Sequence, residues 1–504
     1  MQPDRQAERK AAGDPGRALA TEVAELRRSV AEESARVFAR WRPGIRRITF
    51  APSARNLAAY MAFRQRDVRD LQDRLAACGL SSLGRSEGRI LASLDVLSAV
   101  LDALNGDGGA GAAVFRQARD FTLGERLLRR NTRLLFGPPP TGRETHVMVT
   151  LPEAAETDDA LVDGLIARGM SVARINCAHG SHAQWRAMVA RVRAGAAKLG
   201  KGCRVLMDLS GPRLRTVCAF SREDRKILGG DQLLLRRTAP DPSDTAPPFQ
   251  VQCAPASIFE HLKTGAKVSI DEARVEARVI RVVDAGALAE VVRTVPGGVR
   301  LKPEKGLNFP ETDLGMPALT TKDREDLDVV VAEADLIGYS FVQEESDVDA
   351  IWDEIERRAA HARRHPPGLI LKIETARAVR NAPGLIVAAG RRMPVGLMIA
   401  RGDLGVEVGF QRLAELQEEL LWLAEAAHTP VIWATQVLDR LVRKGTPSRA
   451  EISDVVLAQR AECVMLNKGQ FLLDALEIVD DVFRRMDGHQ HKKMARLRAL
   501  HAWS

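Results

Sequence analysis

The feature that most constrains the fold is an alternation, from about residue 145 onward, of short β-branched runs with amphipathic stretches of helical length. One strand followed by one helix, repeated eight times, is typical of an α/β TIM (β/α)8 barrel. The sequence contains eight runs of strand length, so we predict this barrel. Its strands are predicted at residues 146–150, 171–176, 204–208, 334–341, 369–373, 396–400, 430–434 and 462–466.

One interval interrupts this alternation, because more than a hundred residues separate the third predicted strand from the fourth. Further β-type runs lie inside it, at residues 232–236, 267–270, 277–283 and 289–295. We therefore predict a small β domain inserted in a barrel loop. Since that loop leaves the carboxyl end of a strand, the inserted domain would form a lid over the face where barrel enzymes carry their sites.

The residues before the barrel are predicted to be helical. Apolar positions at helical spacing indicate helices at 18–38 and 86–104, and one helix that begins with Ser53 as its cap and ends at Cys78. We expect this extension, residues 1–140, to pack on the barrel or on a second subunit, and we expect the protein to form a homo-oligomer.

Charge and composition exclude several other classes of protein. The net charge of +8 lies within residues 1–135, which carry 24 Lys and Arg against 16 Asp and Glu. These charges are interleaved rather than clustered, so nucleic-acid binding is not expected. No apolar run is long enough for a membrane span. The six cysteines form no Cys-x-x-Cys pair, and the N-terminus lacks the apolar core of a signal peptide, so we predict a cytoplasmic protein with free thiols.

Polar residues lie at the carboxyl ends of the predicted strands. Glu374 and Asp403 are hard oxygen ligands suited to Mg²⁺ or Mn²⁺, and Lys372 shares a strand face with Glu374. This arrangement indicates a divalent-metal site for phosphoryl transfer at the face where barrel active sites lie. The residues placed there are Arg174, Asn176, Asp208, Lys372, Glu374, Asp403 and Thr435.

A colinear series of motifs over about residues 145–486 resembles the pyruvate kinase family. The motifs are residues 173–180 (ARINCAHG), 208–216 (DLSGPRLRT), 305–310 (KGLNFP), 371–374 (LKIE), 399–405 (IARGDLG), 434–438 (ATQVL) and 447–454 (PSRAEISD). The resemblance implies transfer of the phosphoryl group of phosphoenolpyruvate to ADP. It also implies a barrel of residues 141–216 and 307–490, a mobile lid of 217–306, and a tail of 491–504, which we expect to be a short helix.

The resemblance also implies roles for individual residues. Glu374 and Asp403 would bind the divalent metal, Lys372 would neutralise the phosphoryl group and the enolate, and Thr435 would help a water molecule protonate the enolate. Further implied roles are phosphate binding by Arg174, binding of the substrate carboxylate at the helix start by Arg401, Gly402 and Asp403, and nucleotide binding by His179, Arg215 and Lys305.

One departure from the family concerns potassium. Most members hold a potassium ion with an Asn, a Ser and an Asp beside a Glu; here Asn176 and Asp208 remain, but Ala178 takes the Ser position and Arg213 the Glu position. A fixed guanidinium supplies positive charge and repels an added cation, so we predict activity without potassium. The alternative is that Arg213 simply pairs with Asp208.

Other departures concern the nucleotide. The family's Ser-Gly-Glu-Thr run is replaced by residues 467–470 (NKGQ), and its Thr-Lys-Gly-Pro lysine by Ser210. The family's C-terminal regulatory domain is also not expected, because the sequence ends soon after the last predicted barrel helix. Two alternatives to a pyruvate kinase therefore stay open. One is another Mg²⁺-dependent barrel enzyme that uses phosphoenolpyruvate or pyruvate, and the other is a catalytically weak, partner-binding relative.

Overall fold

A computed structural model describes residues 15–106, 122–222, 224–240, 247–310, 312–363, 365–492 and 494–495. Eight of the described strands close into a parallel barrel in the order β1-β15-β14-β13-β12-β11-β3-β2, which confirms the predicted TIM barrel. The barrel strands are β1 (His146–Thr150), β2 (Val172–Asn176), β3 (Arg204–Asp208), β11 (Leu336–Tyr339), β12 (Gly368–Ile373), β13 (Val395–Ala400), β14 (Val431–Val437) and β15 (Cys463–Leu466).

Helices surround the barrel. At the start of several of them a side chain accepts a hydrogen bond from a backbone amide that has no partner within the helix. Ser181, Thr320 and Ser448 each accept a hydrogen bond from a backbone N–H in the first turn of the following helix. The helices after the first barrel strand are α6 (Asp159–Ala167), α7 (His182–Leu199), α8 (Thr321–Glu333), α9 (Glu345–His361), α10 (Ala376–Gly390), α11 (Arg401–Val408), α12 (Phe410–Ala426), α13 (Asp439–Lys444), α14 (Arg449–Ala458) and α15 (Leu472–Met486).

Between β3 and β11 the chain forms a separate seven-stranded sheet in the order β10-β7-β8-β9-β5-β6-β4, with a hydrophobic core of its own. The four strands predicted there are confirmed. Three further strands were not predicted. β4 is polar and β10 is only two residues long, and both lie where the sheet joins the barrel. β6 has few β-branched residues. The strands are β4 (Arg215–Ser221), β5 (Gln232–Arg236), β6 (Phe249–Ala254), β7 (Lys267–Ile270), β8 (Val275–Val283), β9 (Gly286–Thr294) and β10 (Leu307–Asn308).

The N-terminal extension is helical, as predicted, but one predicted helix is wrong. The expected single helix from Ser53 to Cys78 is two helices, because the Asp67 side chain accepts a hydrogen bond from the amide of Arg69 and starts a new one. Ser53 does not cap the first of them: it is buried within that helix. The helices are α1 (Pro15–Trp41), α2 (Ala51–Arg64), α3 (Arg69–Ala77), α4 (Ile90–Leu104) and α5 (Leu123–Phe136).

The last of these helices closes the amino-terminal mouth of the barrel. Leu135 and Phe136, at the end of α5, belong to the same apolar cluster as the inward-facing residues of the barrel strands. Room for Leu135 comes from Gly368 and Gly396, where a Cβ atom would lie 2.6 Å and 3.1 Å from its methyl groups. The extension therefore completes the barrel core rather than lying beside it.

The end of the described chain differs from the prediction of a short helix. Gln490–His491 (β16) pairs antiparallel with Met494–Ala495 (β17), and the predicted remainder, from 496 onward, lies outside the described residues. Lys492, at the turn of this hairpin, donates a hydrogen bond to the carbonyl of Arg460 and pairs with Glu462. No helix in the described ranges combines the length and the apolar character needed to cross a bilayer.

Candidate active site

The polar site residues lie one layer above the apolar interior of the barrel. Val172, Leu206 and Ile370 belong to the interior cluster, and side chains two residues further along a strand point the same way. Arg174, Asp208 and Lys372 therefore point inward at the carboxyl ends of β2, β3 and β12.

Strand β11 makes room for this layer with a glycine. Gly338 pairs with Asp208 in the strand register, and a Cβ atom on Gly338 would lie 2.4 Å from Oδ1 of Asp208 and 3.1 Å from its Cα. Any other residue at this position would displace the carboxylate, so the close approach requires glycine.

Arg174 and Asp208 form a buried ion pair. Oδ2 of Asp208 accepts hydrogen bonds from Nε of Arg174 at 2.9 Å and from its Nη2 at 2.5 Å, while Nη1 donates to Oγ1 of Thr150 at 2.9 Å. Burial opposes ionisation of Asp208, but Lys372 and Arg174 outweigh it and hold the pKa of this carboxyl below its ordinary value. The pair is therefore charged, and Arg174 is fixed in place.

Lys372 lies at the centre of the cluster. Its Nζ donates to Oγ of Ser340 at 2.7 Å and lies 3.0 Å from Oε1 of Glu374 and 3.4 Å from Oδ1 of Asp208. Burial disfavours the charged ammonium, yet the two carboxylates more than compensate and raise its pKa above the ordinary value. A permanent, desolvated positive charge therefore lies at the floor of the site.

Glu374 and Asp403 provide carboxylates at the edge of that floor. Glu374 is 2% exposed and its Oε2 accepts a hydrogen bond of 2.6 Å from the amide of Phe341, whereas Asp403, in the first turn of α11, is exposed. Burial, with the nearby charge of Asp403, raises the pKa of Glu374 although Lys372 opposes the shift. A divalent cation would relieve this repulsion, so the two residues fit a metal.

Helix α11 is tied to the end of β14 by Arg401. Its guanidinium donates to both oxygens of Asp454, at 2.6 Å and 2.8 Å, and to the carbonyls of Ala434 at 2.9 Å and Thr435 at 2.7 Å. It also lies 4.6 Å from the ring centre of Trp433. Four of the five guanidinium donors of Arg401 are thus directed to protein groups, and it is the backbone amide of Arg401 that the family resemblance assigns to the substrate.

Thr435 is held in a backbone conformation that β-branched residues rarely adopt. Its φ is +72° and that of Gln436 is +58°, and the register between β14 and β15 shifts at this point. Such strain persists only where surrounding contacts impose it, and it concentrates at functional sites. Gly402 is one of those contacts, since a Cβ atom there would lie 2.8 Å from Cγ2 of Thr435.

Arg213 lies beside the cluster without joining it. Its Nε donates to the carbonyl of Ser210 at 3.2 Å, and it forms no ion pair with Asp208. Its charge nevertheless lowers the pKa of Asp208, after the larger effects of Lys372 and Arg174. Asn176, the other retained residue of the family's potassium site, accepts a hydrogen bond of 3.2 Å from the amide of Ala178.

A rim of positive charge adjoins this floor. His179 is exposed, and its pKa is lowered first by partial burial and then by Arg213, Lys468 and Arg215. Glu153 opposes this shift, and its Oε1 lies 3.8 Å from Nζ of Lys468. Lys305 is held on the inserted domain instead, where its Nζ lies 2.9 Å from Oδ1 of Asp271.

Several residues of this cluster have no role predicted from the sequence. Ser340 and Thr150 contact Lys372 and Arg174, and both stand at strand ends, where the rule applied to the other strands would have found them. Asp454 belongs to one of the motifs but was given no role. Lys468 lies in the segment that departs from the family, so the resemblance offered no guide to it.

Comparisons with known proteins point to one family. A family model described as "Pyruvate kinase, barrel domain" matches residues 142–472. The chain is 33% identical over 354 residues to "Pyruvate kinase" of Geobacillus stearothermophilus. The aligned region is 68% of this chain and 57% of that protein. It is 32% identical over 358 residues to "Pyruvate kinase" of Agrobacterium vitis, and the aligned region is 69% of each protein. The chain thus spans less than two thirds of the Geobacillus protein.

A solved structure shows the same relationship. A pyruvate kinase from Cryptosporidium parvum superposes with a TM-score of 0.59 at 26% sequence identity, over 70% of this chain and 72% of that one. Because the family model matches residues 142–472, which is more than half of the chain, and the relative from Agrobacterium vitis is 32% identical over 69% of both proteins, we conclude that the chain belongs to the pyruvate kinase family.

Proposed function

We propose that this protein transfers the phosphoryl group of phosphoenolpyruvate to ADP, giving pyruvate and ATP. The observation that carries the proposal is the position of Lys372. It is buried at the floor of the barrel mouth between the carboxylates of Asp208 and Glu374. A fixed cation in a desolvated site stabilises the charge that develops as a phosphoryl group leaves an enolate.

Glu374 and Asp403 are the residues that would hold Mg²⁺ or Mn²⁺. No group of three or more His, Cys, Asp or Glu in the described ranges is placed to bind a metal. A site with only two carboxylates leaves most positions of the ion for water and substrate oxygens, which is typical of magnesium in phosphoryl transfer. When bound, the metal supplies Lewis-acid stabilisation of the substrate's enol and phosphoryl oxygens.

The other residues bind and orient the substrate. Arg174, fixed by Asp208 and Thr150, is directed toward the phosphoryl group, and the amides of Gly402 and Asp403 at the helix start receive the carboxylate. Lys372 neutralises the phosphoryl group in transit and then the enolate. Thr435 holds a water molecule that gives its proton to the terminal carbon of the enolate, which completes pyruvate.

We propose further that Arg213 replaces the potassium ion of the family. Arg213 forms no ion pair with Asp208 or Lys372, but its charge acts to lower the pKa of both groups. A monovalent cation beside them would have the same effect. His179 and Arg215, with Lys305 on the inserted domain acting as lid, would bind the nucleotide phosphates. Lys468 also lowers the pKa of His179, so it would add positive charge on the nucleotide side, although its Nζ lies 3.8 Å from Oε1 of Glu153.

The test is pyruvate formation from phosphoenolpyruvate with Mg²⁺, measured with ADP, with other nucleoside diphosphates and without an acceptor. Turnover that needs a diphosphate supports the proposal, and pyruvate formed without one would point to a different reaction. Lys372→Met should abolish turnover, whereas the matched variant Lys198→Met, on an exposed lysine paired with Asp163, should leave it unchanged. No turnover with any diphosphate would refute the proposal. A cytoplasmic location and self-association stay predictions.

A further inference from the structure

The loop between β2 and α7, residues 177–181, adjoins the positively charged rim of the candidate active site. His179 lies in this loop, and the charges of Arg213 and Arg215 lower its pKa after the larger effect of partial burial. The loop carbonyls belong to no strand or helix, so they need donors from elsewhere. Those of Cys177 and His179 accept hydrogen bonds from side chains of α8 and α7.

Lys322 on α8 holds the first of these carbonyls. Its Nζ donates to the carbonyl of Cys177 at 3.0 Å and pairs with Asp326, one turn further along the helix. The side chain of Lys322 is half exposed, whereas Asp326 is 4% exposed. A long, solvated lysine side chain has many conformations, so we infer that the buried carboxylate keeps its ammonium on the carbonyl.

Trp185 on α7 holds the second carbonyl. Its Nε1 donates to the carbonyl of His179 at 2.8 Å. The ring of His182 packs against the indole, with ring centres 5.0 Å apart, and Nε2 of His182 lies 2.9 Å from Oδ1 of Asp326. Nζ of Lys322 lies 5.4 Å from the centre of the indole. One carboxylate thus supports both contacts to the loop, through Lys322 and through the His182–Trp185 pair.

This network is separate from the contacts that fix the residues assigned to phosphoenolpyruvate. Arg174 and Lys372 are held by Asp208 and share no printed hydrogen bond or ion pair with Asp326. The loop itself follows Trp185 closely, because Gly180 has a φ of +80° and a Cβ atom there would lie 3.1 Å from Nε1 of the indole. Loosening the network should therefore move the loop and leave the floor of the site in place.

We propose that Asp326 is a positioning residue for the nucleotide, which acts by fixing the loop that carries His179. The inference rests on the proposed function, in which His179 binds the phosphates of ADP. Asp326 would contact no substrate itself. Without its charge, Lys322 and His182 lose their shared partner, so ADP has to order the loop when it binds and its affinity falls.

The test measures binding of ADP and of phosphoenolpyruvate separately, each with Mg²⁺, by calorimetry on the full chain. Asp326→Asn keeps the size of the side chain and removes its charge. It should weaken ADP binding roughly five- to tenfold and phosphoenolpyruvate binding by less than about twofold. Lys322→Met, at a half-exposed residue, should also weaken ADP binding and decides the question if Asp326→Asn does not fold; Lys322→Arg should keep most of the affinity.

The matched control is Glu354→Gln. Glu354 pairs with Arg324 on another face of α8, so this variant removes an ion pair of the same helix without touching the loop, and it should bind both ligands normally.

A double-mutant cycle with His179→Ala separates positioning from general damage. If Asp326 acts through the loop, Asp326→Asn should weaken ADP binding in the native background and scarcely change it once His179 is replaced. Native ADP binding in both Asp326→Asn and Lys322→Met, equal loss of ADP and phosphoenolpyruvate binding, or additive losses in the cycle would each overturn the inference. Failure of the proposed function is distinguishable, because the native chain would then bind no ADP, which overturns both.

Discussion

Arg401 and Asp454 form a two-point ion pair, 2.6 Å and 2.8 Å long, that connects the start of α11 to the middle of α14. Through the same guanidinium, Asp454 also fixes the carbonyls of Ala434 and Thr435. Asp454 additionally accepts a hydrogen bond of 3.3 Å from Nε1 of Trp433. It is therefore a positioning residue, which acts on Thr435 and on the amides of α11 through Arg401.

Asp454→Asn should expose this role. The substitution keeps the shape but removes the charge, so we expect the guanidinium to loosen and kcat to fall on the order of tenfold, with a smaller change in KM for phosphoenolpyruvate. The discriminating measurement is exchange of the pyruvate methyl protons with solvent, which reports the protonation step alone. The rate of this exchange should fall at least as much as the rate of phosphoryl transfer. Asp328→Asn, in an exposed ion pair, is the control; normal proton exchange in Asp454→Asn would contradict the assignment.

The contact between Gly402 and Thr435 makes a second prediction. A Cβ atom at residue 402 would lie 2.8 Å from Cγ2 of Thr435, so Gly402→Ala should displace the hydroxyl or the helix start and lower kcat/KM for phosphoenolpyruvate by about tenfold or more. Thr435→Ser removes that methyl group and keeps the hydroxyl. The double variant should therefore recover activity that Gly402→Ala alone has lost. Additive losses in steady-state kinetics would show that the two residues act separately.

The charge of Arg213 predicts how activity responds to potassium. At constant ionic strength, the rate of the native protein in tetramethylammonium should lie within about twofold of its rate in potassium, because the guanidinium already supplies the positive charge. Arg213→Glu should collapse the rate in tetramethylammonium and regain part of it in potassium. Arg222→Glu, on the inserted domain, controls for a change of net charge. A native enzyme that stops working without potassium would refute the replacement.

The strand pattern was sufficient to predict the barrel and the face where the polar cluster lies, because side-chain period and strand ends are local properties of the sequence. Lys372, Glu374 and Asp208 were found in this way. The positive φ of Thr435 could not be predicted, since the residues that contact it there, Arg401 and Gly402, lie in a different element, α11.

The extension was harder to predict for a similar reason. A helical pattern runs through residues 53–78, yet the Asp67 side chain interrupts it by starting a new helix. Nothing local indicates that Leu135 closes the barrel, because that contact depends on Gly368 and Gly396, more than two hundred residues further along the chain. Long-range packing of this kind leaves no periodic signal.

Buried histidines predict how stability depends on pH. His428 joins the extension to the barrel, with Nδ1 3.0 Å from Oγ of Ser53 and Nε2 2.9 Å from the carbonyl of Gly88. Burial lowers its pKa from 6.5 to about 4, so the folded protein holds the ring neutral. The stability that depends on this neutral ring is complete above pH 6.5, the unfolded value, and is lost as the pH falls from 6.5 toward 4.

The steepest loss from one such histidine is about 1.4 kcal/mol per pH unit. His428→Gln keeps a donor and an acceptor but does not titrate, so its free energy of unfolding should fall less between pH 7 and pH 5 than that of the native protein. His146, with its pKa also lowered by burial, titrates in both proteins and cancels from the comparison. Urea unfolding at the two pH values measures the difference, with the exposed His361→Gln as control. An equal loss in native protein and His428→Gln would mean that His428 is not held neutral in the fold, because only a group whose pKa differs between the folded and unfolded states contributes to this slope.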